Sequence, residues 1–254
     1  MENSRRCGLL ILMTIVNVCD SFQFEGSSLS FAKFSSWTPC HNGTLEFEFK
    51  TEISNALMFY TDSGNKQFND DYFELRLVDG IMHLRYKLNK ERGMISSVMG
   101  NLNNNEWHSV KLMRSGRQTT LVVDEHTLTK ENVNFDSQHK TFGETSDNFV
   151  FIGGLPIDYN TQLEKLAHSQ VVFEPRLRGH VRNLFYSNCG KAMVSPDLLD
   201  SQGLVLGDDR CLRDNPCLHG GICVVRDNGV QCDCSFTDFI GENCEIGRYI
   251  DYKT

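Results

Sequence analysis

Apolar and polar residues alternate strictly along several stretches of this chain. In Leu45-Glu46-Phe47-Glu48-Phe49-Lys50 every second side chain is apolar, which predicts a strand with one buried face. Phe73, Leu75 and Leu77 repeat the pattern against Glu74 and Arg76. After Asp79-Gly80, a hairpin-turn dipeptide, Met82, Leu84, Tyr86 and Leu88 alternate with His83, Arg85 and Lys87. A second hairpin is predicted between residues 108–113 and 119–124, across Arg114-Ser115-Gly116-Arg117. Further strands are predicted at residues 55–60, 149–152 and 180–186. Helical periodicity is sparse, with one turn at most at Leu163-Glu164-Lys165-Leu166. Short strands at this spacing predict an all-β fold, a two-sheet sandwich spanning residues 22–207. Trp107, in Glu106-Trp107-His108, reads as a core anchor between the sheets.

The 254 residues carry a formal charge of −8 and 40% hydrophobic content. That suffices for a packed core and excludes wholesale disorder. The acidic balance argues against a nucleic-acid partner. Arg5-Arg6, an apolar run from Cys7 to Val16, and Cys19-Asp20-Ser21 with small residues before a cut after Ser21 predict a secretory signal peptide at residues 1–21. The alternative is a buried N-terminal helix. The run is too short to cross a bilayer, and no later stretch approaches the ~20 apolar residues of a membrane helix. The expectation is therefore a secreted chain without a membrane span.

Ten cysteines fit an oxidising compartment. Without Cys7 and Cys19, Cys40 and Cys189 stand alone, and Cys211, Cys217, Cys223, Cys232, Cys234 and Cys244 crowd together. Residues 208–245 form a module too small to fold without staples. Spacing leaves the connectivity open, and a zinc site at Cys232-Asp233-Cys234 has poor ligand spacing. The run from Cys211 to Cys244, with Asn215-Pro216-Cys217-Leu218-His219-Gly220-Gly221-Ile222-Cys223 and Gly241-Glu242-Asn243-Cys244, resembles an EGF-like domain. That resemblance implies Cys211–Cys223, Cys217–Cys232 and Cys234–Cys244; it stops at residue 245 and leaves residues 246–254 as an expected tail. Arg210, where calcium-binding forms of that family carry Glu or Gln, implies a spacer without calcium. Cys40 and Cys189 are either bridged, closing a loop worth about 4–5 kcal/mol of chain entropy, or two buried free thiols.

The longer part resembles a laminin G (LNS) domain. The resemblance rests on Leu57-Met58-Phe59-Tyr60, Asp71-Tyr72-Phe73-Glu74-Leu75, Glu106-Trp107-His108-Ser109-Val110-Lys111, Phe151-Ile152-Gly153-Gly154-Leu155-Pro156 and Leu177-Arg178-Gly179-His180-Val181. A leader, one LNS domain and one EGF-like domain in this order are similar to the N-terminus of an invertebrate-type alpha-neurexin, here in truncated form. The stretch Trp37-Thr38-Pro39-Cys40 and Val172-Phe173-Glu174-Pro175 add to that match.

The resemblance implies a jelly-roll sandwich and a non-catalytic adhesion module facing protein ligands on an opposing cell surface. Family members are membrane-anchored presynaptic proteins. It also implies a Ca²⁺ on the rim held by the Asp71 carboxylate and the Leu88 carbonyl, with a third ligand from residues 143–147. One carboxylate with carbonyls and water makes a weak calcium site. Alternation puts Asp70 on the other face, and loss of either carboxylate is expected to leave the fold intact. Asn42-Gly43-Thr44 is a glycosylation sequon. Asp70, Asp71 and Glu74 are the acidic set a glycosidase would draw on, but neighbouring strand residues diverge, and no hydrolase, P-loop or dinucleotide motif occurs. The competing class is a secreted laminin G protein whose rim binds a glycan or a small steroid-like lipid, which an exposed aromatic cluster there would favour.

Overall fold

The computed structural model describes residues 21–63, 70–131, 142, 148–206, 215–226 and 229–248. The first strands are β1 (Ser21–Glu25), β2 (Phe31–Phe34), β3 (Asn42–Thr51), β4 (Ala56–Asp62) and β5 (Tyr72–Val78). Next come β6 (Ile81–Leu88), β7 (Glu91–Ser96), β8 (His108–Ser115), β9 (Gln118–Val123) and β10 (His126–Glu131). The sandwich closes with β11 (Val150–Ile152), β12 (Arg178–Ser187), β13 (Leu198–Gln202) and β14 (Leu204–Leu206).

They build two antiparallel seven-stranded sheets among the described residues. Sheet I runs β10-β9-β8-β3-β12-β1-β14 and sheet II runs β13-β2-β11-β4-β5-β6-β7. Alternation in β3 becomes the inner face of sheet I: Leu45, Phe47 and Phe49 are buried while Glu46, Glu48 and Lys50 face outward. The predicted hairpins form as β5–β6 and β8–β9. The predicted turn at residues 163–166 is a short 3₁₀ turn at Leu163–Lys165.

Trp107 is not the core anchor. It sits just before β8 on the outward parity, since the buried positions of that strand are His108, Val110, Leu112 and Arg114. Its ring is half-buried under the Arg182 guanidinium, 3.8 Å from the ring centre, with His180 at 6.3 Å. The tryptophan between the sheets is Trp37, from the β2–β3 loop, which is 0% exposed. Its ring meets Phe59 and Phe73, and its Nε1–H donates to the Ser187 carbonyl at 3.3 Å. Trp107→Ala should therefore cost only about 1–2 kcal/mol, the cation–π contact and part of a ring. Urea unfolding monitored by circular dichroism measures it, and a loss above about 3 kcal/mol would restore the anchor reading.

β4 is buried at every position, because sheet II is covered on both faces. The second cover is a strap of three 3₁₀ turns, Ile157–Asn160, Leu163–Lys165 and Ser169–Phe173. Leu155, Leu166 and Val171 of the strap region pack with Leu57, Tyr60, Tyr72 and Phe151. Cys40 and Cys189 are bridged, with Cα atoms 5.0 Å apart, joining the start of β3 to the end of β12 across 149 positions.

The C-terminal module has two hairpins, β15 (Ile222–Arg226) with β16 (Gly229–Asp233), and β17 (Phe239–Ile240) with β18 (Ile246–Gly247). Cys217 is joined to Cys232 and Cys234 to Cys244, and Cys223 is disulfide-bonded. Cys211 lies outside the described residues. The boundary expected after residue 245 falls inside this module: β18 pairs with β17, and Arg248 donates its N–H to Asp238 at 2.8 Å. No helix among the described residues is long and apolar enough to cross a membrane.

Candidate functional site

The rim residue singled out from sequence, Asp71, ends up 1% exposed at the entrance to β5. Its Oδ1 accepts the Asn89 N–H at 2.9 Å. Asn89 and Lys90 both have positive φ, 49° and 67°, and form the two-residue turn joining β6 to β7. The Asp71 carboxylate thus props that turn from below. Leu88 is buried and pairs with Glu91 at the hairpin end. Asp70 points the other way and forms an ion pair with Lys87 Nζ, whose hydrogen bond holds the Asp70 carboxyl below the usual carboxylate range.

A positive charge already faces this rim. Arg114 is buried, and its Nη1 donates to Thr119 Oγ1 at 2.8 Å. Burial lowers the Arg114 pKa, while the charges of Tyr86, Asp71 and Glu91 raise it. Calcium needs six or more oxygens. The described residues contribute one carboxylate, already accepting a backbone N–H, and one strand-end carbonyl. No group of three or more His, Cys, Asp or Glu gathers among them. Residues 143–147, from which a third ligand was expected, lie outside the described residues. The donor set is compatible only with a weak ion, with Arg114 working against it.

One sequence expectation needs correcting. Asp71 is not a dispensable strand-end carboxylate, because it is buried and holds the turn. Asp71→Ala should cost about 1–3 kcal/mol by orphaning the Asn89 N–H, while Asp70→Ala, at a partly exposed ion pair, should cost less than about 1 kcal/mol. Equilibrium urea unfolding of the two variants checks this, and equal stability would contradict the assigned role.

Beneath the strap lies a polar network that sequence reasoning missed. Glu74 is 0% exposed and bound through both oxygens by Arg85, with Nη2 to Oε1 at 2.8 Å. Arg85 also reaches Glu174 of the strap at 3.1 Å, and Arg76 meets the same carboxylate at 2.7 Å. Tyr60 donates its hydroxyl to Asp62 at 2.8 Å, and Asp62 accepts the Ala167 N–H at 3.0 Å. Burial first, then Asp62, pushes the Tyr60 hydroxyl well above its ordinary pKa. His168 stacks on Tyr72 at 4.6 Å, and burial with the Arg85 charge lowers its pKa to about 4. These charges bolt the strap to the sheet. The acidic set considered for glycosidase chemistry is dispersed: Asp70 is paired outside, Asp71 props a turn, and Glu74 is neutralised under the strap. In sequence, Glu74 and Arg85 look like solvent-facing partners of alternating strands, so no signal marked them as buried.

Asn42, the sequon asparagine, is exposed at the start of β3.

The class is settled by the matches. The laminin G domain model matches residues 49–188, so the chain belongs to the laminin G domain family, and the EGF-like domain model matches residues 211–243. The fold is shared with domains LG4-5 of the mouse laminin alpha1 chain, with a TM-score of 0.57 and 18% identity over 81% of this chain and 51% of that one. It is likewise shared with the LG1-3 region of the laminin alpha2 chain, with a TM-score of 0.56 and 20% identity over 75% of this chain and 35% of that one.

The particular relatives are neurexins. The chain is 35% identical to Neurexin 1 of Drosophila melanogaster over 257 residues, covering 91% of this chain and 14% of that protein. Against Neurexin-2 of Rattus norvegicus it is 34% identical over 246 residues, 95% of this chain and 14% of that protein. The chain thus spans about one-seventh of the length of these relatives and carries the laminin G plus EGF-like arrangement of a neurexin segment.

Proposed function

We propose that this chain is an extracellular recognition module of the neurexin kind, which holds cells together by binding protein ligands on an opposing surface and catalyses nothing. The observation behind this reading is the co-linear match of both domains, in order, to neurexins over nine-tenths of the chain. The buried carboxylates support it, since Glu74, Asp62 and Asp71 are each engaged with fold-stabilising partners. Export through a leader at residues 1–21, a glycan on Asn42 and a presynaptic location belong to the same proposal.

The test is binding of the purified chain to cultured neurons, with the cell surface treated beforehand. Saturable binding lost after surface proteolysis supports protein recognition. Binding that survives proteolysis but is lost after glycosidase treatment supports the glycan reading instead. A parallel arm with EGTA asks whether calcium matters. Asp71 and Leu88, with residues 143–147 or a partner's oxygens completing the shell, would hold Ca²⁺ with a Kd on the order of 10⁻⁴–10⁻³ M. Calorimetry at millimolar Ca²⁺ that shows no heat for the unmodified protein removes the ion from the proposal.

A further inference from the structure

The outer edge of sheet II sets like charges side by side. The two-residue turn Asn89-Lys90 makes Leu88 and Glu91 the first, hydrogen-bonded pair of the β6–β7 ladder. At the far end Ser97 donates its N–H to the Met82 carbonyl at 2.8 Å, which fixes the same parity. Pair types alternate along an antiparallel ladder, so Lys87–Arg92 and Arg85–Met94 are non-hydrogen-bonded pairs. Such pairs hold their side chains closest, and Lys87 directly opposite Arg92 is an unfavourable contact. The same parity turns the backbone N–H and C=O groups of Arg92 and Met94 away from β6. β7 is the last strand of sheet II, so among the described residues these groups have no ladder partner, with β10 of sheet I lying close by.

A groove of about 570 Å³ reaches from the strap across β5 and β6 to this edge, lined by Asp70, Tyr72, Lys87, Arg92, Lys130 and His168 among others. Lys87 is engaged by Asp70, whereas the side chains of Arg92 and Lys130 are exposed and make no hydrogen bond or ion pair among the described residues. Met94 is 56% exposed beside them. Lys130 arrives from β10, the edge strand of the opposite sheet, so cations flank the open edge from both sheets. This positive strip belongs to a chain of net charge −8.

We propose that this edge binds an extended acidic segment of a partner protein, which adds to sheet II as a strand beside β7 and sets its carboxylates against Arg92 and Lys130. Backbone pairing supplies the alignment, the cations supply selectivity, and Met94 offers an apolar contact. A second copy of this chain fits less well, because pairing two β7 edges would bring two Lys87–Arg92 groups onto one ladder. The inference deepens the recognition reading and rests on it for context. Its test uses purified components, so failure of cell binding and failure of this site are separate results.

The probe is an eight-residue peptide alternating Glu and Thr, titrated into the full chain by calorimetry at low salt. The expected result is saturable binding, about fivefold or more weaker for the peptide with Gln in place of Glu. N-methylation of alternate peptide amides, which blocks pairing without touching the protein, should abolish binding. Arg92→Glu and Lys130→Glu should each weaken binding about fivefold or more, with urea unfolding unchanged for Lys130→Glu and unchanged or slightly more resistant for Arg92→Glu, which sets an opposite charge against Lys87. His168, stacked on Tyr72 at the groove wall, is a second reporter by NMR: a bound carboxylate partly cancels the neighbouring guanidinium charges and raises its pKa. Absence of heat, equal binding of the Gln or N-methylated peptide, or indifference to both charge reversals would overturn the proposal. So would a sulfated oligosaccharide that binds through Arg92 where the acidic peptide does not.

Discussion

Reduction is expected to unfold the C-terminal module and leave the sandwich standing. Among the described residues of the C-terminal module the buried apolar positions are Cys223, Val224 and Cys244, so the bridges themselves make up most of that core. Each bridge contributes roughly 2–4 kcal/mol, and a module of this size has no other reserve of comparable magnitude. The stack of His219 on Phe239, with ring centres 3.7 Å apart, does not replace it. The sandwich differs in kind. More than a dozen large apolar side chains, Trp37, Phe47, Phe59 and Phe73 among them, fill its interior. Loss of the Cys40–Cys189 bridge should lower its stability without unfolding it. Limited proteolysis with and without dithiothreitol, read by mass spectrometry, is the measurement. Cleavage confined to residues 208–248 is the expected pattern, and protection of that stretch in the reduced protein would contradict it. Peptide mapping that joined Cys211 to Cys217 would overturn the EGF-like assignment.

Arg85→Met should destabilise the sandwich by about 3–5 kcal/mol, because it strands the buried Glu74 carboxylate without a counter-ion. Glu74 is fully buried, and both its oxygens are held by Arg85. Glu174 is the lesser loss, since Arg76 keeps it paired at 2.7 Å. The double variant Arg85→Met with Glu74→Leu should recover most of the deficit, as replacing a whole buried pair with apolar groups is often near neutral. Urea unfolding of the two single variants and the double variant gives the coupling directly. An Arg85→Met cost below about 1 kcal/mol would mean that water reaches Glu74 and that the strap is not sealed. Because the same arginine ties sheet II to Glu174, hydrogen exchange in residues 155–176 should accelerate in the single variant.

The sequence by itself determined the central strands, the domain order and the family, while β1, β2, β7, β10, β13 and β14 carried no signal strong enough to place them. Alternation is a local property: β3, β5 and β6 appear where every second residue is apolar, because successive side chains in a strand leave on opposite faces. Cysteine crowding likewise announced the small module, since a stretch this short has few other ways to be stable. The tertiary structure decided which faces were covered. Trp107 reads as the anchor in sequence, and only the parity of β8 sends it outward while a loop carries Trp37 between the sheets. The alternating charged residues Glu74 and Arg85 read as solvent-facing, yet the strap at residues 155–176 seals over them. Asp71 was legible as a strand-entry carboxylate. Its burial against the Asn89 N–H, and the approach of Arg114 from another sheet, were not. Pairing across sheets joins residues separated by tens of positions, and no periodicity along the chain encodes which charge such a contact will meet or whether water remains beside it.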